Sequence, residues 1–209
     1  MKAVFTCGGT GGHINPALAV ARVLLERRPD SEILFVGAED GMEATLVPRE
    51  GFRLETLQIS SYMRSLKPSA IRHNVRAALS IRRALKKADR IIRDFQPDVI
   101  LGTGGYASYP MLHEGARLGI PTAVHASNAV PGLATKMVAD KVDRILVSFA
   151  DSRSAYRDPS RVIAVGMPVR EEFVFTRRAD ARRALGLDEK TPMIVSAWGS
   201  LGAREMNKK

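Results

Sequence analysis

Apolar residues along this chain fall into short, strand-length runs separated by longer stretches where they return every three or four positions. The runs at 2–7, 32–37, 54–59, 98–102, 121–125, 144–148 and 161–165 predict strands. The stretches at about 16–28, 42–50, 70–95, 109–118, 131–139 and 150–157 predict helices. Strand and helix alternating in this way predict an α/β fold, a Rossmann-like parallel sheet with helices on both faces. Ligands of such sheets sit beyond the carboxyl ends of the strands. Residues 1–165 read as one domain of this kind. From Gly166 a second segment begins, with an arginine-rich helix around 179–186, a strand at 193–197 and a turn at Trp198-Gly199-Ser200-Leu201-Gly202-Ala203. Residues 166–209 thus predict a linker and the first strand–loop–helix unit of an incomplete second domain, too small to bury a core alone.

The candidate chemistry lies at the strand ends. The first strand runs into Gly8-Gly9-Thr10-Gly11-Gly12-His13, followed by a helix start read at Asn15-Pro16, with Asn15 as N-cap and Pro16 in the first turn. Glycine lets a backbone approach a ligand closely, and the unpaired N–H groups of a helix N-terminus favour an anion such as phosphate. The loop lacks the Gly-Lys-Ser/Thr of a P-loop and fits no G-x-G-x-x-G register. A plain tight turn is the competing reading, but four glycines and a histidine exceed what a turn requires. His13 is the member of this motif able to move a proton near neutral pH. Gly102-Thr103-Gly104-Gly105-Tyr106 repeats the arrangement after the fourth predicted strand, so the two loops could grip one diphosphate. For His125 and Asn128, beyond the fifth predicted strand, two readings stand: ligand contact, or a strand-end residue and a helix cap. Arg170 has the fork suited to a diphosphate, although a lone arginine is more often a surface residue. No Asp-x-Asp pair and no metal-ligand spacing occurs, so a leaving diphosphate would be stabilised by N–H groups and arginine.

Composition narrows the partner. The single cysteine, Cys7, excludes a disulfide framework and suits a reducing compartment. No signal peptide and no membrane span is read. The net charge of +10 suggests a polyanionic partner or a generally basic surface. Much of it is local, since residues 64–95 hold ten Lys and Arg against two Asp. On a helical wheel Arg72, Arg76, Arg83, Lys86, Lys87, Arg90 and Arg93 fall within an arc of about 120°, opposite Ile71, Ala78, Ile81, Leu85, Ala88 and Ile92. This face lacks the aromatics that stack on bases, so an anionic membrane is the expected partner and nucleic acid is not.

Five segments together, Gly8 to Ala19, Gly102 to Tyr106, His125 to Gly132, Gly166 to Arg170 and Gly199 to Ala203, resemble the MurG-type N-acetylglucosaminyltransferases of bacterial cell-wall synthesis. The resemblance covers the whole chain and implies a GT-B fold of two Rossmann-like domains facing a cleft. It implies inverting, metal-independent transfer of N-acetylglucosamine from UDP-N-acetylglucosamine to the muramyl sugar of lipid I, giving lipid II, at the cytoplasmic face of the membrane, with no cofactor. By position it makes His13 the candidate base and places Thr10, Gly11, Gly12, Asn15, Gly104, Gly105, Tyr106, His125 and Asn128 around substrate. It gives Arg170 the donor diphosphate and Ser200 a donor contact. The family's usual Glu after the fifth-strand His is Ala126 here, its Asn in Gly-Asn-Pro-Val-Arg is Met167, and its first Gly in the last loop is Trp198. The 209-residue chain is expected to be inactive alone. The alternatives are a GT-B transferase with another acceptor, a non-catalytic lobe that binds lipid diphosphate at the membrane, and, more remotely, a nicotinamide-dependent enzyme.

Overall fold

The computed structural model describes residues 1–59 and 68–195; within 68–79 it describes the side chain of Ala77 alone. The chain divides into two compact units, Met1–Pro168 and Val169–Lys209.

The strands of the first unit lie where the apolar runs predict them: β1 (Lys2–Thr6), β2 (Glu32–Ala38), β3 (Arg53–Leu57), β4 (Val99–Gly102), β5 (Thr122–Ala126), β6 (Arg144–Val147) and β7 (Val162–Ala164). They form one parallel sheet in the order β3-β2-β1-β4-β5-β6-β7. The helices between them are α1 (Gly11–Arg27), α2 (Glu43–Arg49), α3 (Pro68–Phe95), α4 (Ser108–Arg117) and α5 (Leu133–Ala139). The stretch predicted as a helix over 150–157 is a 3₁₀ turn, Ala150–Ala155.

Side-chain alternation in the strands builds a core on each face. Val4 pairs in register with Leu34, and Phe5 with Phe35. Val4, Leu34, Val36, Ile100 and Val124 belong to one core with Ala88 and Ile92 of α3, Met111 and Leu112 of α4, and Val138 of α5. Ala3, Phe5 and Phe35 belong to the other with Ile14, Ala17 and Leu18 of α1 and Val47 of α2. The Phe5 and Phe35 rings stack at 5.3 Å. Full burial of each such side chain stabilises the unit by about 1.5–3 kcal/mol.

This order has one consequence for function. From β1 the chain winds outward through β2 to β3, then returns across the sheet to β4 on the other side of β1. The loops after β1 and β4 therefore leave neighbouring strands in opposite directions, and the crevice between them is the switch point where doubly wound sheets bind ligands. Both glycine loops lie there.

The second unit contains α6 (Glu171–Phe175), which the sequence pattern does not predict, and α7 (Arg178–Ala184), where the arginine-rich helix is predicted. Arg182 is buried and donates from Nε to the Asp188 carbonyl at 2.6 Å and from its NH2 group to the Thr191 carbonyl. Met193–Val195 have no strand assignment, and the remainder of the predicted strand, with Trp198 and Ser200, lies outside the described residues.

Candidate functional site

The helix after the first glycine loop begins earlier than the sequence suggests. Thr10, extended at φ −146° and ψ 155°, occupies the N-cap position of α1. Its carbonyl accepts from the N–H groups of His13 at 3.0 Å and Ile14 at 3.2 Å. Asn15 is therefore not the cap; it lies on the exposed surface of α1, and Pro16 is buried inside the helix. The local signal of Asn-Pro is overridden by the bonds that His13 and Ile14 make to the Thr10 carbonyl and by the Thr103 hydroxyl on the His13 carbonyl. The earlier start leaves the N–H groups of Gly11 and Gly12 in the first turn, where helix geometry provides them no partner.

The two glycine loops form one body. Thr103 donates from its backbone N to the Thr6 carbonyl at 3.0 Å and from its hydroxyl to the His13 carbonyl at 2.6 Å. Thr6 Oγ1 donates to the Ala107 carbonyl at 3.4 Å. A side chain at Gly105, whose φ is +83°, would run into the Gly8 carbonyl, so the loops meet backbone to backbone. Tyr106 covers Gly9: a side chain there would meet its Cε1 at 3.5 Å. Burial, then the charges of Glu43 and Asp40, push the Tyr106 phenol above its usual range.

His13 is half-buried between the loops. Its Nδ1 lies 3.0 Å from the Gly8 carbonyl and 3.4 Å from Thr10 Oγ1. A carbonyl oxygen can only accept, so Nδ1 carries the hydrogen and the neutral ring keeps its lone pair on Nε2. The ring edge bearing Nε2 lies against Gly104, where an added Cβ would come within 2.8 Å of Cδ2 and 3.1 Å of Nε2. His13, Thr10, Gly11, Gly12, Gly104, Gly105 and Tyr106 are thus brought together.

His125 is fully buried at the end of β5. Its Nε2 donates to the Gly166 carbonyl at 3.0 Å, with the Ser148 hydroxyl 3.3 Å away, and its Nδ1 has no hydrogen-bond partner among the described residues. Burial lowers its pKa, partly offset by the bond to Gly166. The folded state thus accepts this proton less readily than the unfolded chain, whose histidines titrate near pH 6.5. The stability tied to neutral His125 is complete above about pH 6.5 and declines as pH falls below it. Between about pH 7 and pH 5 the urea midpoint is expected to fall, and His125→Gln to fall less steeply over the same interval. Asn128 is exposed in the loop that follows β5. Ala126 is buried in the core with Val124. Arg170 belongs to the second unit, where it pairs with Glu172 at 3.0 Å and lies over the Phe173 ring.

Sequence reasoning passed over Glu43, which is completely buried at the start of α2. Its Oε1 accepts from Ala38 N at 2.7 Å and its Oε2 from Gly9 N at 3.2 Å. Side chains at Gly8, Gly37 or Gly41 would collide with it. The available signal was an acidic residue two positions after Gly41 in the loop beyond the second strand. Cys7, buried alongside, has its thiol pushed far up by burial and by the Glu43 charge, which leaves it an unreactive core residue.

On α3 the described side chains of Arg83, Lys86, Lys87, Arg90 and Arg93 are exposed, while Ala77, Ala84, Ala88, Ile91 and Ile92 are buried. Ile81 and Leu85 are only half-buried. The side chains of Arg72 and Arg76 lie outside the described residues. Among the described residues no helix is long and apolar enough to cross a membrane.

Residues 3–147 match the glycosyltransferase family 28 N-terminal domain. A curated protein of Acetivibrio thermocellus, UDP-N-acetylglucosamine–N-acetylmuramyl-(pentapeptide) pyrophosphoryl-undecaprenol N-acetylglucosamine transferase, is 40% identical over 207 residues, covering 99% of this chain and 55% of the relative. The protein of the same name from Caldanaerobacter subterraneus is also 40% identical, covering 99% of this chain and 56% of the relative. The chain spans about half the length of the curated relatives it matches. Among solved structures, MurG of Acinetobacter baumannii superposes with a TM-score of 0.65 at 26% identity, over 82% of this chain and 47% of that one. A UDP-GlcNAc 2-epimerase of Methanocaldococcus jannaschii, 12% identical, shares the fold with a TM-score of 0.58 over 80% of this chain and 46% of that one.

Proposed function

The chain belongs to glycosyltransferase family 28, whose N-terminal domain it carries, and from that premise we propose that it is the acceptor-side lobe of an enzyme that transfers N-acetylglucosamine from UDP-N-acetylglucosamine to the muramyl sugar of lipid I, forming lipid II. The observation that carries this reading is the His13 ring at the switch point, with Nδ1 held by Gly8 and the Nε2 lone pair beside the second glycine loop. Nε2 accepts the proton of the acceptor hydroxyl as its oxygen attacks the anomeric carbon. The bond from that carbon to the diphosphate breaks, its electrons go to UDP, and the carbon inverts. The first-turn N–H groups of α1 supply charge stabilisation for a diphosphate without a divalent ion. Arg170, Asn128, Asn15 and Ser200 enter as substrate contacts through the family resemblance alone.

Labelled N-acetylglucosamine incorporation into a lipid I analogue tests this. The 209-residue chain alone is expected to transfer nothing. Joined to the part of the Acetivibrio thermocellus relative that it does not match, it is expected to transfer. A folded fusion that binds UDP-N-acetylglucosamine but glycosylates no lipid-linked acceptor would refute the reading.

The basic face of α3 supports a peripheral position on the cytoplasmic membrane surface, where lipid I would be met. Each Lys or Arg near an anionic leaflet contributes about 1 kcal/mol. Changing Arg83, Lys86, Lys87 and Arg90 together to Glu should therefore lower the partition onto vesicles containing anionic lipid by at least about a hundredfold. Vesicle sedimentation at low salt reads it, and equal partition of both proteins would remove the membrane from the account.

A further inference from the structure

We propose that Glu43 is a positioning residue for His13, acting through the peptide bond between Gly8 and Gly9. The inference rests on the reading of His13 as the base, and deepens it. That peptide is held at both ends: its N–H, on Gly9, donates to Glu43 Oε2 at 3.2 Å, and its C=O, on Gly8, accepts from His13 Nδ1 at 3.0 Å. A carboxylate, a peptide and an imidazole thus stand in one chain of hydrogen bonds that ends on the Nε2 lone pair.

A carboxylate differs from a neutral hydrogen-bond acceptor at this position by its charge, which is costly to keep out of water. Among the described residues no Lys or Arg lies within ion-pair distance of Glu43, so its charge is met by backbone N–H groups alone. Withdrawing the Gly9 hydrogen toward the carboxylate shifts electron density onto the Gly8 oxygen, which strengthens its bond to Nδ1–H, because linked hydrogen bonds polarise one another. The consequence is a preferred tautomer, with the hydrogen kept on Nδ1 and Nε2 left free to accept a proton. The Glu43 field does reach the loops, since Cys7 and Tyr106 both respond to it after burial, and Asp40 adds to it at Tyr106. Among the described residues, Glu43, Asp40, Cys7, Tyr106 and His13 are the titratable groups that these bonds and fields connect to this peptide. The arrangement also divides the labour of the loop. Gly9 N–H serves Glu43, which leaves the N–H groups of Gly11 and Gly12 for a diphosphate.

Nuclear magnetic resonance of the labelled 209-residue chain tests this without turnover. The ¹⁵N shifts of His13 should report the Nδ1–H tautomer at alkaline pH. As His13 titrates, the Gly9 amide proton and the Glu43 carboxyl carbon should move with the same midpoint. In Glu43→Gln, which keeps the volume but cannot accept two N–H bonds as a carboxylate does, the Nδ1–H population should fall and the Nε2–H population rise, the Gly8 carbonyl alone holding the tautomer less firmly. If Glu43→Gln does not fold, the wild-type titration decides alone. Gly9 and Glu43 resonances that stay still while His13 titrates overturn the proposal, as does a folded Glu43→Gln with an unchanged tautomer. Failure of the base assignment looks different: the resonances move together, yet His13→Asn leaves transfer by the fusion intact.

Discussion

Replacing His13 with Asn in the transfer-competent fusion should lower kcat by about 10²–10⁴-fold, the range that a positioned general base contributes. Asn matches the first atoms of the imidazole, and its amide N–H can still donate to the Gly8 carbonyl, so the loop should keep its shape. What it lacks is a basic lone pair at the Nε2 position. The loss should therefore appear in kcat, with the KM for UDP-N-acetylglucosamine largely preserved, because removing an interaction made only in the transition state leaves ground-state binding in place. Steady-state kinetics on a lipid I analogue separate the two parameters. A rise in KM at constant kcat would make His13 a binding residue, and an unchanged kcat would remove it from proton transfer.

The contrast between His13 and Glu43 shows what the sequence can express. His13 stands in a motif of consecutive residues, so its neighbours in the chain are also its neighbours in space. The same locality makes the strands legible: an unbroken apolar run such as Ala3-Val4-Phe5 marks a strand buried on both faces, and the structure places Val4 in one core and Phe5 in the other. Glu43 acts on a residue thirty-four positions away, and only the pairing of β1 with β2 brings it there. No local pattern encodes that distance. The start of α1 fails for a related reason. Asn15-Pro16 is a sound local cap signal, but the contacts that decide the start are the Thr103 hydroxyl on the His13 carbonyl and the Thr10 carbonyl on His13 and Ile14. One of those crosses ninety residues of chain. The two glycine loops, by contrast, are legible as strand-end loops because the strand–helix rhythm implies parallel strands, and the pairing of β1 with β4 sets them side by side.

Gly105→Ala should be among the most damaging single-methyl additions in the first unit, and Gly51→Ala supplies its control. Both glycines sit at φ +83°, so the backbone strain of an L-residue, about 1–2 kcal/mol, is common to the two. They differ in what the methyl meets. Nothing lies within 4 Å of the position at Gly51, whereas at Gly105 it would strike the Gly8 carbonyl. Relieving that collision by shifting two loops tied together through Thr103 adds the cost of overpacking, about 1–3 kcal/mol. Gly105→Ala is therefore expected to lose about 2–5 kcal/mol in urea unfolding, and Gly51→Ala only the strain they share. The second consequence is chemical. The carbonyl that must move is the one that accepts from His13 Nδ1, so a Gly105→Ala fusion that still folds should lose the tautomer preference of His13 and much of its kcat, while Gly51→Ala keeps both. Equal destabilisation by the two substitutions would mean that the loops part without cost, and the close packing of main chain against main chain would then not be what holds the base in place.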